Sequence, residues 1–260
     1  MKLNLCEPDK ARRILVYGAP KTGKTVLVGM LAEKYKLLWI DIENGAASLI
    51  SNVPKQFQSN IELIKIPDTR EFPIAIDTCL KLFTGAKGTI CNKHGKWNCP
   101  LVPCKEPAAS TPVHLAELGE DWVVVLDSAT QLTNSTMSHI CKGKTDDYKP
   151  DWEDYRKQGA VLDRVFSQMQ QAAYNIVVIS HETMTEMQDG KMKIVPVAGS
   201  SNFSKTFAKY FDDVVYCEMV NKKHKFASST NYGVNIITGS RSNHAIEKDE
   251  VPKLLSLFNN

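Results

Sequence analysis

Hydrophobic residues along this chain gather into short continuous runs. Between these runs lie segments in which apolar positions recur every three or four residues, the alternation expected of buried strands joined by amphipathic helices. Arg13–Tyr17 reads as a first buried strand, Val26–Tyr35 as a helix and Leu37–Asp41 as a second strand. Ile61–Ile66 reads as a third, interrupted by Glu62 and Lys65 and ended by Pro67. A helix follows, with Phe72, Ile76, Cys79, Leu80 and Phe83 on its buried face. Residues 85–119 show neither period, and Asp121–Asp127 then returns to the sheet as an apolar strand closing on a carboxylate.

The second half repeats the pattern. Ser138–Pro150 is polar and reads as a mobile connection, after which Trp152, Tyr155, Leu162, Phe166, Met169 and Ala173 form the core-facing stripe of a long helix. Asn175–His181 is another buried strand, and Thr183–Met187 with Lys191–Val195 flank Gln188-Asp189-Gly190 as a hairpin. Gly199–Lys209 reads as a loop entering a helix, Asp213–Met219 and Gly233–Thr238 as closing strands, and Val251–Phe258 as a terminal helix. The predicted fold is α/β: a mostly parallel central sheet flanked by helices, one domain over residues 1–260 with 85–119 inserted as a small Cys-rich knuckle.

Composition narrows the setting. The chain has 260 residues, 43% hydrophobic and 23% charged, enough for a full core. A net charge of +3 permits contact with nucleic acid without marking a strongly basic binding module. No apolar run approaches the ~20 residues of a membrane helix, and the N-terminus has no apolar signal core, so a cytoplasmic protein with no membrane partner is expected. Seven cysteines suit a reduced compartment better than a disulfide framework.

Candidate chemistry starts at Gly18-Ala19-Pro20-Lys21-Thr22-Gly23-Lys24-Thr25, which fits G-x-x-x-x-G-K-[ST] at every fixed position and sits between a strand and a helix that continues through Val26. Glycines at positions 18 and 23 allow the backbone N–H groups and the positive helix end to surround a polyphosphate. Lys24 then reaches the terminal phosphates of ATP, and Thr25 offers a hydroxyl oxygen to Mg²⁺. Asp127, at the end of its strand, is the expected second Mg²⁺ ligand. Many triphosphatases place a Glu directly after that Asp, but here Ser128 follows. The nearest carboxylate to position the attacking water is Glu43, in Asp41-Ile42-Glu43.

At these residues the chain resembles the RecA-like ATPases. That resemblance implies a catalytic Glu at Glu43 and a γ-phosphate sensor at His181, for which a capping or core-edge histidine is the alternative. Arg241, after the last strand, falls where related ATPases project a cation towards a neighbouring subunit's nucleotide; a solvated surface arginine is the equal alternative. The short chain and its particular loop look like the compact phage RecA-like ATPases of recombination and single-strand annealing; a separate DNA-binding domain of the kind full recombinases carry is not expected, and neither is independent strand exchange. The resemblance implies a ring or filament of like subunits, single-stranded DNA as a partner, and a single-strand-binding protein as a further one. In such ATPases two loops at the sheet edge line the DNA path. Here they carry Lys142 and Lys144 in one and Phe203 and Lys205 in the other, the cations and ring that single-strand binding uses. Ordinary surface loops with Phe203 packed inside are the alternative.

Cys91, His94, Cys99 and Cys104 supply three thiolates and an imidazole within fourteen residues, a ligand set suited to tetrahedral Zn²⁺ though at unusual spacing. Reduced cysteines gathered in a surface loop are the competing reading. Lys87, Lys93, Lys96, Trp97 and Lys105 surround the set, either as a nucleic-acid contact or as a solvated loop with one buried Trp. The leading functional expectation is a DNA-stimulated ATPase. A helicase or helicase-loader motor, a P-loop small-molecule phosphotransferase and a nucleotide-gated binding module with little turnover are its rivals.

Overall fold

A computed structural model describes residues 11–104, 107–228, 235–241 and 254–258 of the chain. In order, its elements are β1 (Arg13–Gly18), α1 (Lys24–Gly29), β2 (Lys36–Asp41), α2 (Ala47–Asn52), α3 (Lys55–Gln58), β3 (Ile61–Lys65), α4 (Ala75–Leu82) and β4 (Gly88–Cys91). There follow β5 (Ser110–Val113), β6 (Trp122–Asp127), α5 (Ala129–Ile140), α6 (Trp152–Gln170), β7 (Asn175–Glu186) and β8 (Met192–Pro196). The last are α7 (Ser201–Thr206), β9 (Asp213–Val220), β10 (Lys223–Ala227) and β11 (Gly239–Ser240).

The main sheet runs β10-β9-β1-β7-β6-β2-β3, with β11 on β9 and β8 on β7. From β9 to β3 every neighbouring pair is parallel. The apolar runs are continuous because each strand feeds two cores. Ile14, Val16, Leu37, Trp39, Val123, Val125, Val177 and Ile179 face one side, where Leu27, Val28 and Leu31 cover them. Leu15, Tyr17, Leu38, Ile40, Val124, Leu126, Ile176 and Val178 face the other, covered from α4 and α6 by Ile76, Cys79, Leu162 and Phe166. The parallel pairing of β1, β2, β6 and β7 stops at one level, bringing Gly18, Asp41, Asp127 and His181 to one edge, while β7 and β9 run on beyond it.

Several expected elements are revised. The first helix holds α-geometry only to Gly29 and tightens into a 3₁₀ turn over Met30–Glu33, so it stops short of Tyr35. Phe72 precedes α4 and is 70% exposed, which removes it from the buried face. Ser138 to Ile140 belong to α5, a helix whose mixed Thr, Ser and Asn content hides its period; Ser128 caps it through the Gln131 N–H. Trp152 and Tyr155 open α6 but are 77% and 44% exposed, because its buried stripe starts from Asp154 and Gln158 instead.

Residues 85–119 contain the antiparallel pair β4–β5, too short to impose an alternation. The hairpin at Gln188-Asp189-Gly190 forms as expected between β7 and β8. Of the expected strand Gly233–Thr238, residues 235–238 contribute only a bridge from Ile236 to Ile194, and the strand itself falls later, at β11. Gly233 and Val234 of that expected strand lie outside the described residues, as do Val251 to Lys253 of the expected terminal helix, whose described part is a 3₁₀ turn over Leu254–Phe258. β10 leaves no apolar run in the sequence, since Lys223-His224-Lys225 make up most of it.

Candidate nucleotide site

The loop after β1 is shaped by backbone constraints. Gly18 has φ +153°, and a Cβ there would meet the Cys217 carbonyl oxygen at 2.0 Å, so β1 and β9 can only approach at this point through glycine. Lys24 is buried, and its ammonium donates to the Gly18 and Ala19 carbonyls at 2.9 and 2.7 Å. Burial lowers its pKa, with Glu43 and Asp127 working in the opposite direction. Thr25 Oγ1 lies 3.5 Å from Asp127 Oδ2 across the cleft.

The carboxylates play separate parts. Asp41 is buried and structural: its Oδ1 accepts from the Gly45 N–H at 2.9 Å and its Oδ2 from Ala46 at 3.2 Å, folding back the loop that presents Glu43. Asp127, also buried, has its carboxyl pushed up to about 7, by burial first and then by the Glu43 and Asp41 charges. Such a group is short of countercharge. With the Thr25 hydroxyl it makes a hard oxygen donor pair, which fits Mg²⁺. Glu43 accepts from His181 Nε2 at 2.7 Å, and this bond foremost holds the Glu43 carboxyl below its ordinary pKa. His181 is in turn fixed by its own N–H, which donates to Thr130 Oγ1 at 2.9 Å.

Pro20, Lys21, Gly23, Lys24, Thr25, Val26, Glu43, Asp127 and His181 all line one cleft of about 1200 Å³. Ala19 and Thr22 complete the loop, and the Thr22 hydroxyl donates to the Ala19 carbonyl at 2.8 Å. Arg241 is placed elsewhere. It pairs with Asp212 at 3.4 Å beside the start of β9, at the opposite edge of the sheet from Gly18. The six-residue β1 separates the two edges by roughly 16 Å.

What sequence reasoning missed is the far wall, made by Lys222, Lys223, His224, Lys225 and Phe226. The signal available was Asn221-Lys222, both in left-handed conformation, as a two-residue turn after the β9 run.

The other expected sites are separately placed. Cys91, His94, Cys99 and Cys104 bring their ligand atoms within 4.8 Å of one another. The three sulfurs stand 3.4, 3.9 and 3.4 Å from His94 Nδ1. A tetrahedral Zn²⁺ site requires S···N separations of about 3.6 Å, so the residues fit that ion. The insertion docks through the Thr78 hydroxyl, which donates to the Gly95 carbonyl at 2.8 Å, and Trp97 packs against Gly88 and the core. Lys105 lies outside the described residues, and the six described cysteines are free.

Of the two sheet-edge segments, Lys142 and Lys144 are exposed, with Lys144 over the Tyr148 ring at 4.9 Å. Lys205 is half-buried, and Phe203 is taken up in packing with Phe166, Phe207 and Tyr210, so its ring is not free to stack on a base. Among the described residues no helix is long and apolar enough to cross a membrane.

A parallel sheet with a phosphate-binding loop and facing carboxylates at one edge defines a P-loop nucleotide-binding protein of ATPase-like fold. The chain belongs to the AAA domain family, whose model matches residues 10–245. Among solved structures, it is similar to a prototypical ATPase from the type III secretion system of pathogenic bacteria, at 10% identity and a TM-score of 0.51. That likeness covers 89% of this chain and 58% of the secretion ATPase, and it bears on the fold alone. Comparison with curated proteins returns no match.

Proposed function

We propose that this protein binds ATP with Mg²⁺ and hydrolyses it. The observation carrying this reading is the convergence of Lys24, Thr25, Asp127, Glu43 and His181 on one cleft from β1, β2, β6 and β7. Lys24 holds the terminal phosphates, while Thr25 and Asp127 hold the Mg²⁺, which when bound neutralises charge building on the phosphoryl oxygens. Glu43, kept ionised, orients the attacking water and accepts its proton. His181 fixes the Glu43 carboxylate and reports the state of the γ phosphate. In an assembly of like subunits, Arg241 serves a neighbour's nucleotide after parting from Asp212.

The same reading takes single-stranded DNA as the polymer that stimulates turnover, in recombination or annealing, alongside a single-strand-binding protein. Its support is the surface around α6. Exposed Lys142 and Lys144 precede exposed Trp152 and Tyr155, and one turn beyond Tyr155 on the same face lies Gly159, within 3.9 Å of Phe203 for an added Cβ. Cations and accessible rings between the two sheet-edge segments are the parts that grip a single strand. The insertion holds one structural Zn²⁺ through Cys91, His94, Cys99 and Cys104.

The test is ATP hydrolysis measured with and without single-stranded DNA, beside the protein's size distribution. Turnover that rises with DNA in an oligomer is the expected result. ATP turnover indifferent to DNA, with phosphate passed to a small acceptor, would replace this reading with that of a phosphotransferase.

A further inference from the structure

The far wall of the nucleotide cleft has no part in the chemistry above. In the sheet, Gly18 is level with Cys217 of β9, and Cys217 is level with Phe226 of β10. The β9–β10 hairpin beyond that level, Glu218–Val220 and Lys223–Lys225, therefore overhangs the phosphate loop by about 10 Å. Lys222 and Lys223 at its tip are exposed, and neither has an ion-pair partner among the described residues. Both line the same cleft as Lys24 and Thr25.

Two further observations tie the hairpin to the loop. The His224 imidazole, through Nδ1–H, donates to the Thr22 carbonyl at 2.9 Å. Gly23 has φ +90°, and a Cβ there would meet His224 Nδ1 at 2.9 Å, so the loop and the hairpin are packed to contact. His224 also lies parallel to Phe226, with ring centroids 6.4 Å apart, and Phe226 is anchored in the core beneath α1. The hairpin is thus registered on the phosphate loop of its own chain.

Charge gives this wall its purpose. Lys21 and Lys24 on the loop face Lys222 and Lys223 on the hairpin, against Glu43 and Asp127 as the carboxylates lining the cleft among the described residues. That cationic excess suits a polyphosphate, which brings several negative charges into one place.

We propose that the β9–β10 hairpin is the second half of the triphosphate site in the same chain, with Lys222 and Lys223 binding phosphate oxygens of a nucleoside di- or triphosphate and His224 holding the hairpin to the loop. This rests on the nucleotide-binding reading above. The lysines act as binding residues that stand apart from the water-activating groups, so their effect falls on affinity.

The test is calorimetric titration of the full-length protein with ADP and a non-hydrolysable ATP analogue, comparing wild type with Lys222→Ala/Lys223→Ala. Charged contacts of this kind carry roughly tenfold in affinity each. The double variant is expected to bind both nucleotides at least tenfold more weakly, with a shallower salt dependence, an unchanged melting temperature without nucleotide and unchanged affinity for adenosine. His224→Ala should weaken nucleotide binding less. A wild-type protein that binds no nucleotide overturns the nucleotide reading itself. Wild-type affinity in the double variant overturns the hairpin proposal alone. If subunits carrying Lys24→Ala restore nucleotide affinity to the double variant on mixing, the hairpin serves a neighbour's site, and the same-chain proposal falls.

Discussion

His181 Nε2 stands 2.7 Å from Glu43 Oε1, joining the middle of β7 to the loop after β2 across the intervening strand β6. The bond fixes a carboxylate that is neither folded back on its own loop, like Asp41, nor beside the Thr25 hydroxyl, like Asp127. Glu43→Gln keeps the shape of that contact and removes the base. ATP binding should stay within about twofold, and turnover should fall by roughly 10²- to 10⁴-fold, as read by titration and by phosphate release. Turnover near wild type would move the base elsewhere.

His181→Ala frees the Glu43 carboxylate without removing it. A loss of turnover smaller than that of Glu43→Gln is expected, again with ATP binding retained. Equal losses in the single variants and in the double variant would show that the two residues act as one unit.

Lys24→Ala removes the buried ammonium that the Gly18 and Ala19 carbonyls hold beneath the loop. Nucleotide affinity should fall at least tenfold and hydrolysis should be lost, while the folded chain persists, because an alanine there leaves no unpaired charge. Unchanged binding in a folded variant would place the active site outside Gly18–Thr25.

For the insertion, elemental analysis of protein purified without chelators should find one zinc per chain, and Cys99→Ser should lower that content. The cluster is separate from the two main cores. Metal loss should therefore destabilise residues 85–119, seen as faster hydrogen exchange there, while the nucleotide site still binds ATP. Zinc-free wild-type protein would end the zinc assignment.

Replacing Trp152 and Tyr155 together by Ala should weaken single-stranded DNA binding by tenfold or more, since base stacking contributes about 1–3 kcal/mol per ring. Both rings are exposed, so stability should barely change. Lys142→Ala/Lys144→Ala should flatten the salt dependence instead. Fluorescence anisotropy of a labelled oligonucleotide measures both, and wild-type affinity in both variants would remove α6 from the DNA path.

The sequence by itself determined the parallel strands and the phosphate loop. A strand buried on both faces must be apolar throughout, and a loop that wraps phosphates must have glycine, lysine and a hydroxyl at fixed places, so both leave a local trace. It also led to one sheet edge for Glu43, Asp127 and His181, although β7 does not end at His181 as its apolar run suggests but continues to Glu186. Which face of a helix is buried was decided by what packs on it: Trp152 and Tyr155 have the spacing of core residues, yet α6 turns Asp154 and Gln158 inwards, Asp154 to the Tyr148 hydroxyl and Gln158 to the Thr133 carbonyl at 3.0 Å. Phe203 follows the same logic in reverse, drawn into packing with Phe166. The lysine-bearing hairpin lies about two hundred residues from the loop it touches through His224 and Thr22. Only the pairing of β9 with β1 brings them together, since no local pattern encodes a contact that the strand order creates.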